Sequence, residues 1–103
     1  MEWYAYLAYL FGGAFLANGV PHFVEGITGR RFPSPFASPP GVGESHPVVN
    51  VMWGLANFAG GCALVAGVGD FDFGLTRSSL MVFLGALVMA VCLAAYFGRA
   101  RGA

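Results

Sequence analysis

Three polar side chains, Asn18, His22 and Glu25, are spaced i, i+4, i+7 near the start of the chain. On a helix turning about 100° per residue they share an arc of about 60°. A second strip follows later: Asn50, Gly54, Asn57 and Gly61, at i, i+4, i+7, i+11, with Trp53 beside it and His46 just before it. Amides, imidazoles and a carboxylate so arranged admit three kinds of chemistry. They can hydrogen-bond across helices, line a pocket or proton path, or hold a metal through His22 and His46 with Glu25 as a third ligand. His22 and His46 are the only histidines, and no HxxxH or ExxH spacing accompanies them. No metal is therefore expected, and no catalytic pair or phosphate loop is present.

The elements that position these groups follow from where charge is absent. The 103 residues are 57% apolar and 10% charged, with five basic and five acidic side chains, and all five basic ones are arginine. A soluble domain carries about 25% charged residues. Three stretches hold none: Trp3 to Val24, Val48 to Gly69 and Ser78 to Gly98. Each reaches the roughly 20 residues that cross about 30 Å of hydrocarbon. A charge at mid-membrane costs about 2.5–3.5 kcal/mol, so its exclusion from three stretches predicts three transmembrane helices. The expected fold is an all-α integral membrane bundle in one domain. Helix one covers about 3–24, a connector 25–47, helix two about 48–69, a hairpin 70–77, helix three about 78–98 and a tail 99–103. The first helix has Glu2 and no basic residue ahead of it, unlike a signal peptide, and is expected to be retained.

Three crossings place the connector and the tail on one side. That side holds Arg30, Arg31, Arg99 and Arg101, against Arg77 on the other. The bias predicts the N-terminus outside, with residues 25–47 and the C-terminus cytoplasmic. Trp3 and Tyr4 at one end, and Tyr96 and Phe97 at the other, fit interfacial anchors.

The connector holds Pro33, Pro35, Pro39 and Pro40, which forbid helix and interior strand. Phe32 and Phe36 lie among them, so it is expected on the membrane surface or folded back over the helix ends. There it would roof Asn18, His22, Glu25, His46 and Asn50, all expected at one depth, with Asn57 about 10 Å deeper. Pro21 cannot donate to the carbonyl of Ala17, which predicts a kink or a freed carbonyl. The short hairpin predicts that helices two and three are antiparallel neighbours, with Thr76 or Ser78 capping the third.

Small residues recur at four-residue spacing: Ala59, Ala63 and Gly67 on helix two, and Ala86, Ala90, Ala94 and Gly98 on helix three. Such stripes let helices approach closely, and they are expected to pack helices here. Helix one has Gly12 and Gly13, among the bulky Tyr6, Tyr9, Phe11 and Phe15. Cys62 and Cys92 fall inside helices without ligand spacing and read as small apolar residues. A net charge of zero leaves no nucleic-acid footprint.

At Asn18–Gly19–Val20–Pro21–His22–Phe23, Ser34–Pro35–Phe36–Ala37–Ser38–Pro39–Pro40–Gly41 and Asn50–Val51–Met52–Trp53–Gly54, the chain resembles a group of short, uncharacterised bacterial integral membrane proteins. The resemblance covers about the first half. It implies a bacterial inner membrane and no particular activity. In length the chain is also similar to the small multidrug transporters. Those have four helices and a carboxylate inside the first, whereas here no acid stands between Trp3 and Val24.

Of the function classes left, the preferred one is an interaction or accessory subunit that packs against a larger membrane assembly, such as an energy-converting one, or against copies of itself. Three helices cannot bury all their faces on one another. In this reading Asn18, Asn50 and Asn57 hold the bundle together, because neither His22 nor Glu25 is forced into mid-membrane. The alternative is a small oligomeric transporter or channel using Asn18, His22, Glu25, Asn50 and Asn57. A membrane enzyme or binder of a lipid or quinone under the connector ranks third. No cofactor is expected, although the interfaces leave room for lipid, quinone or pigment.

Overall fold

The computed structural model describes residues 2–100 and 102; Arg101, counted above among the arginines, lies outside them. The chain is all-helical: α1 is Trp3–Ile27, α2 Pro47–Gly67 and α3 Arg77–Ala100. Each is long and apolar enough to cross a membrane. Between α1 and α2 lie two short strands, β1 Phe32–Pro33 and β2 Glu44–Ser45, paired antiparallel.

The helix ends have local causes. Thr28 donates its hydroxyl to the carbonyls of Val24 and Glu25. Gly29 then takes φ +74°, and the Arg30 amide returns to the Glu25 carbonyl, a turn that Gly makes without Cβ strain. At the start of α2, His46 accepts from the Val48 amide, and Pro47 follows in the first helical turn. Proline is pre-set for that place and lacks only an amide that would be orphaned anyway. Thr76 caps α3, its Oγ1 accepting from the Ser79 amide at 3.2 Å. The first helix runs one turn longer than expected, so Glu25 is helical. It passes through Pro21 as one continuous element.

The layout differs from the expected one in its centre. Helix α1 lies between the other two, packing against both, while α2 and α3 barely touch. The hairpin is therefore not a contact between antiparallel neighbours. Residues 68–76 form an irregular link that carries the chain from one flank of α1 to the other.

Glycine decides this. On α1, Gly12, Gly19 and Gly26 recur every seven residues, and α2 answers with Gly54 and Gly61. A Cβ on Gly19 would lie 2.8 Å from the Gly54 carbonyl oxygen, one on Gly54 3.0 Å from that of Gly19, and one on Gly61 2.9 Å from that of Gly12. At Gly26 it would meet the Pro47 carbonyl oxygen at 2.7 Å. Helix backbones this close gain dispersion and Cα–H···O contacts that side chains would prevent. The α1–α3 contact works the same way: a Cβ on Gly13 would collide with the Val82 carbonyl, and one on Gly85 with that of Leu10.

The alanine stripes do not make these contacts. Ala59, Ala63, Gly67, Ala90 and Ala94 are exposed, and Ala86, beside Gly13, and Gly98 are half-buried. By helical geometry Ala59 and Ala63 lie opposite Gly54 and Gly61, and Ala90 and Ala94 opposite Gly85. Four-residue spacing marks a smooth face without saying what covers it.

Candidate functional site

The buried polar groups meet between α1 and α2, under the segment Thr28–His46. His22 is 4% exposed and Asn50 0%. The Nδ1 of His22 lies 2.9 Å from the Oδ1 of Asn50. The Asn50 Nδ2 donates to the carbonyl oxygens of Phe32 at 3.0 Å and Ser45 at 3.2 Å, with that of His46 at 3.5 Å. One amide thus joins α1, both strands and the start of α2.

These partners fix the proton on the histidine. With its nitrogen facing carbonyls, Asn50 can present only its oxygen to His22, so Nδ1–H is the donor. The second pair is fixed in the same manner. Asn57 donates its Nδ2 to the Trp53 carbonyl at 2.9 Å, so its Oδ1 is the acceptor for Asn18 Nδ2, also at 2.9 Å.

The expected single layer is therefore two. Asn18 pairs with the deeper Asn57, about 6 Å along the helix from His22 by four residues of rise. Glu25 is half-buried and meets Arg30 at 3.9 Å, where the arginine is 72% exposed, a pair of little energetic weight. His46 is exposed and occupied in capping α2. His22 and His46 thus hold separate posts. Among the described residues, no three His, Cys, Asp or Glu side chains come together as a metal set.

The connector is packed rather than loose. The Phe32 ring sits 5.3 Å from that of His22 and 4.7 Å from that of Phe97, centroid to centroid. Ser34, 1% exposed, shares a hydrogen bond with Ser45. Tyr96 donates its hydroxyl to the Gly41 carbonyl at 2.6 Å. Phe36 packs its ring edge-on to Trp53 at 5.1 Å. All three helices hold this segment across one end of the bundle.

Beneath it lies a cleft of about 190 Å³, with Asn18, His22, Trp53, Leu93, Tyr96 and Phe97 among its walls. No family model, curated protein or solved structure matches this chain. The site's meaning rests on its geometry alone.

Sequence reasoning found Asn18, His22, Asn50, Asn57 and Trp53, which the fold brings together. It also named Glu25 and His46, which the fold leaves at the margin. It missed Tyr96 and Phe97 as parts of the site, having read them only as interfacial anchors. It also missed Gly19, Gly26 and Gly85. The seven-residue recurrence of Gly12, Gly19 and Gly26 was the available signal.

Proposed function

We propose that this chain is an integral protein of a bacterial inner membrane and serves as an interaction subunit, docking against a further membrane protein or against copies of itself. Its N-terminus faces outward, and the connector and C-terminus face the cytoplasm. Membrane insertion is supported by α3. Its mean hydropathy reaches 2.5 over a stretch that is only 6% buried within the chain. In water those side chains would forfeit about 25 cal/mol for each Å² left exposed, and in lipid they forfeit nothing.

The observation that carries the interaction reading is the outward placement of Ala59, Ala63, Ala90 and Ala94. The chain builds its own contacts from a different set, Gly12, Gly13, Gly19, Gly54, Gly61 and Gly85, and leaves two smooth helix faces uncovered. Smooth faces are what helix docking in lipid uses, since apolar burial gives no drive there. The transport reading has weaker support, because Asn18, Asn57, His22 and Asn50 are engaged with one another. Groups that relay a substrate must exchange partners.

Cys62 and Cys92 are both exposed and serve as native handles: Cys62 lies about 60° around α2 from Ala59, whereas Cys92 lies on the Gly85 side of α3. A bis-maleimide added to membranes containing the full chain should give a product larger than the monomer. Ala63→Leu and Ala90→Leu should reduce it. A chain that stays monomeric under cross-linking and in mild detergent would refute the proposal.

A further inference from the structure

The cleft under the connector has donor and acceptor roles that are already assigned. Because His22 donates from Nδ1 to Asn50, its Nε2 in the neutral ring is an acceptor. That Nε2 makes no hydrogen bond to any described residue. Asn18 gives its nitrogen to Asn57, which leaves its oxygen as a second acceptor. Trp53, on the facing helix, has a buried indole Nε1–H without a partner. The His22 and Trp53 rings stand 6.5 Å apart, centroid to centroid, and both residues line the cleft.

One functional group answers this pair. A hydroxyl oxygen accepts from Trp53 Nε1–H while its hydrogen goes to His22 Nε2. A carbonyl or an ether satisfies the indole but cannot donate to the imidazole. A carboxylate or phosphate would find no cation among the described residues, since none of those that line the cleft is charged. The remaining walls are Phe97, Leu93, Tyr96, Gly41, the prolines of the connector and Ser34, whose hydroxyl is paired with that of Ser45. Water carries the same hydroxyl chemistry. The cleft, however, is several water volumes across at about 30 Å³ each, and its walls offer those further waters few partners.

We propose that this cleft binds the hydroxyl head of a neutral, membrane-soluble amphiphile of the phenol or quinol type, with Trp53 and His22 as its donor and acceptor. The site does not depend on the association described above. An isolated copy would bind as well as an assembled one.

The probe is 4-octylphenol, with 4-octylanisole, its methyl ether, as the matched compound that cannot donate. The full chain is labelled with ¹⁵N in lipid nanodiscs at pH about 8, above the ordinary histidine range. Trp3, 71% exposed at the other end of α1, is the internal control. The phenol should shift the Trp53 indole N–H resonance saturably and leave that of Trp3 in place. The ether should bind at least about tenfold more weakly, the cost of one unmet buried hydrogen bond.

His22→Phe should abolish the preference for phenol over ether. Trp53→Phe, which leaves the His22–Asn50 bond intact, should weaken phenol binding about tenfold when measured by equilibrium partitioning. An unsaturable shift, equal affinity for phenol and ether, or a Trp53 N–H that stays in contact with water at saturating phenol would each overturn the proposal. The last result would mean a cleft filled by water only.

Discussion

His22 on α1 and Asn50 on α2 stand 28 positions apart in the chain and meet as a buried hydrogen bond of 2.9 Å. The same asparagine turns its other end to the carbonyls of Phe32 and Ser45. The pair therefore holds the connector in place as well as the two helices.

Removing the amide should cost more than one interhelical bond. Asn50→Leu leaves His22 Nδ1–H unmet and removes the side-chain donor from the carbonyls of Phe32 and Ser45. Interhelical hydrogen bonds average about 0.6 kcal/mol, but an unmet buried group adds about 1–3. A loss of about 2–4 kcal/mol is expected in unfolding by denaturing detergent. Asn18→Leu, which leaves one acceptor on Asn57 unmet, should cost less. Equal effects would show that Asn50 has no special standing.

Two glycines of one protein should respond in opposite ways. A methyl group at Gly85 collides with the Leu10 carbonyl, whereas one at Gly60 meets nothing within 4 Å. Gly85→Ala should destabilise by about 1–3 kcal/mol as backbones are forced apart. Gly60→Ala should be neutral or slightly stabilising through the helix propensity of alanine. Thermal unfolding in detergent compares them directly, and similar melting points would disprove the close packing of α1 on α3.

Tyr96→Phe removes one hydrogen bond, the tie from α3 to the Gly41 carbonyl, and little packing. The global stability should fall by no more than about 1 kcal/mol, since the bond is partly open to solvent. The amides of residues 36–43 should nevertheless exchange with deuterium several-fold faster, because local opening is controlled by local ties. An unchanged exchange pattern would mean that Phe32 and Ser34 hold the segment unaided.

The orientation can be read with a membrane-impermeant thiol reagent. In a background where Cys62 and Cys92 are alanine, Leu75→Cys should label in intact cells, and Ser38→Cys only after lysis. Leu75 is fully exposed and Ser38 is exposed, so a failure to react would report the membrane rather than burial. The reverse pattern would invert the topology argued from Arg30, Arg31 and Arg99.

The three helices were legible because charge exclusion is a local property: a stretch either does or does not carry charged residues. The polar pairs were half legible. Periodicity placed Asn18 and His22 on one strip and Asn50 and Asn57 on another, but the pairing depends on the offset between two helices, which no single strip contains. Glu25 and His46 seemed to belong with them by depth. The structure keeps both out of the His22–Asn50 pair, Glu25 half-buried beside Arg30 and His46 exposed as the cap of α2, since a charged or capping group satisfies itself at the margin with a neighbour.

Sequence by itself determined the helical content, the extent of the apolar stretches and the residue types able to meet in the interior. Only the tertiary structure decided that α1 is the centre, that glycines rather than the alanine stripes make the contacts, and that Tyr96 and Phe97 close the cleft. The reason is physical. Hydropathy is summed along one segment, whereas close approach is a property of two surfaces. It requires that a missing Cβ on one helix face the backbone of another, as Gly19 faces Gly54.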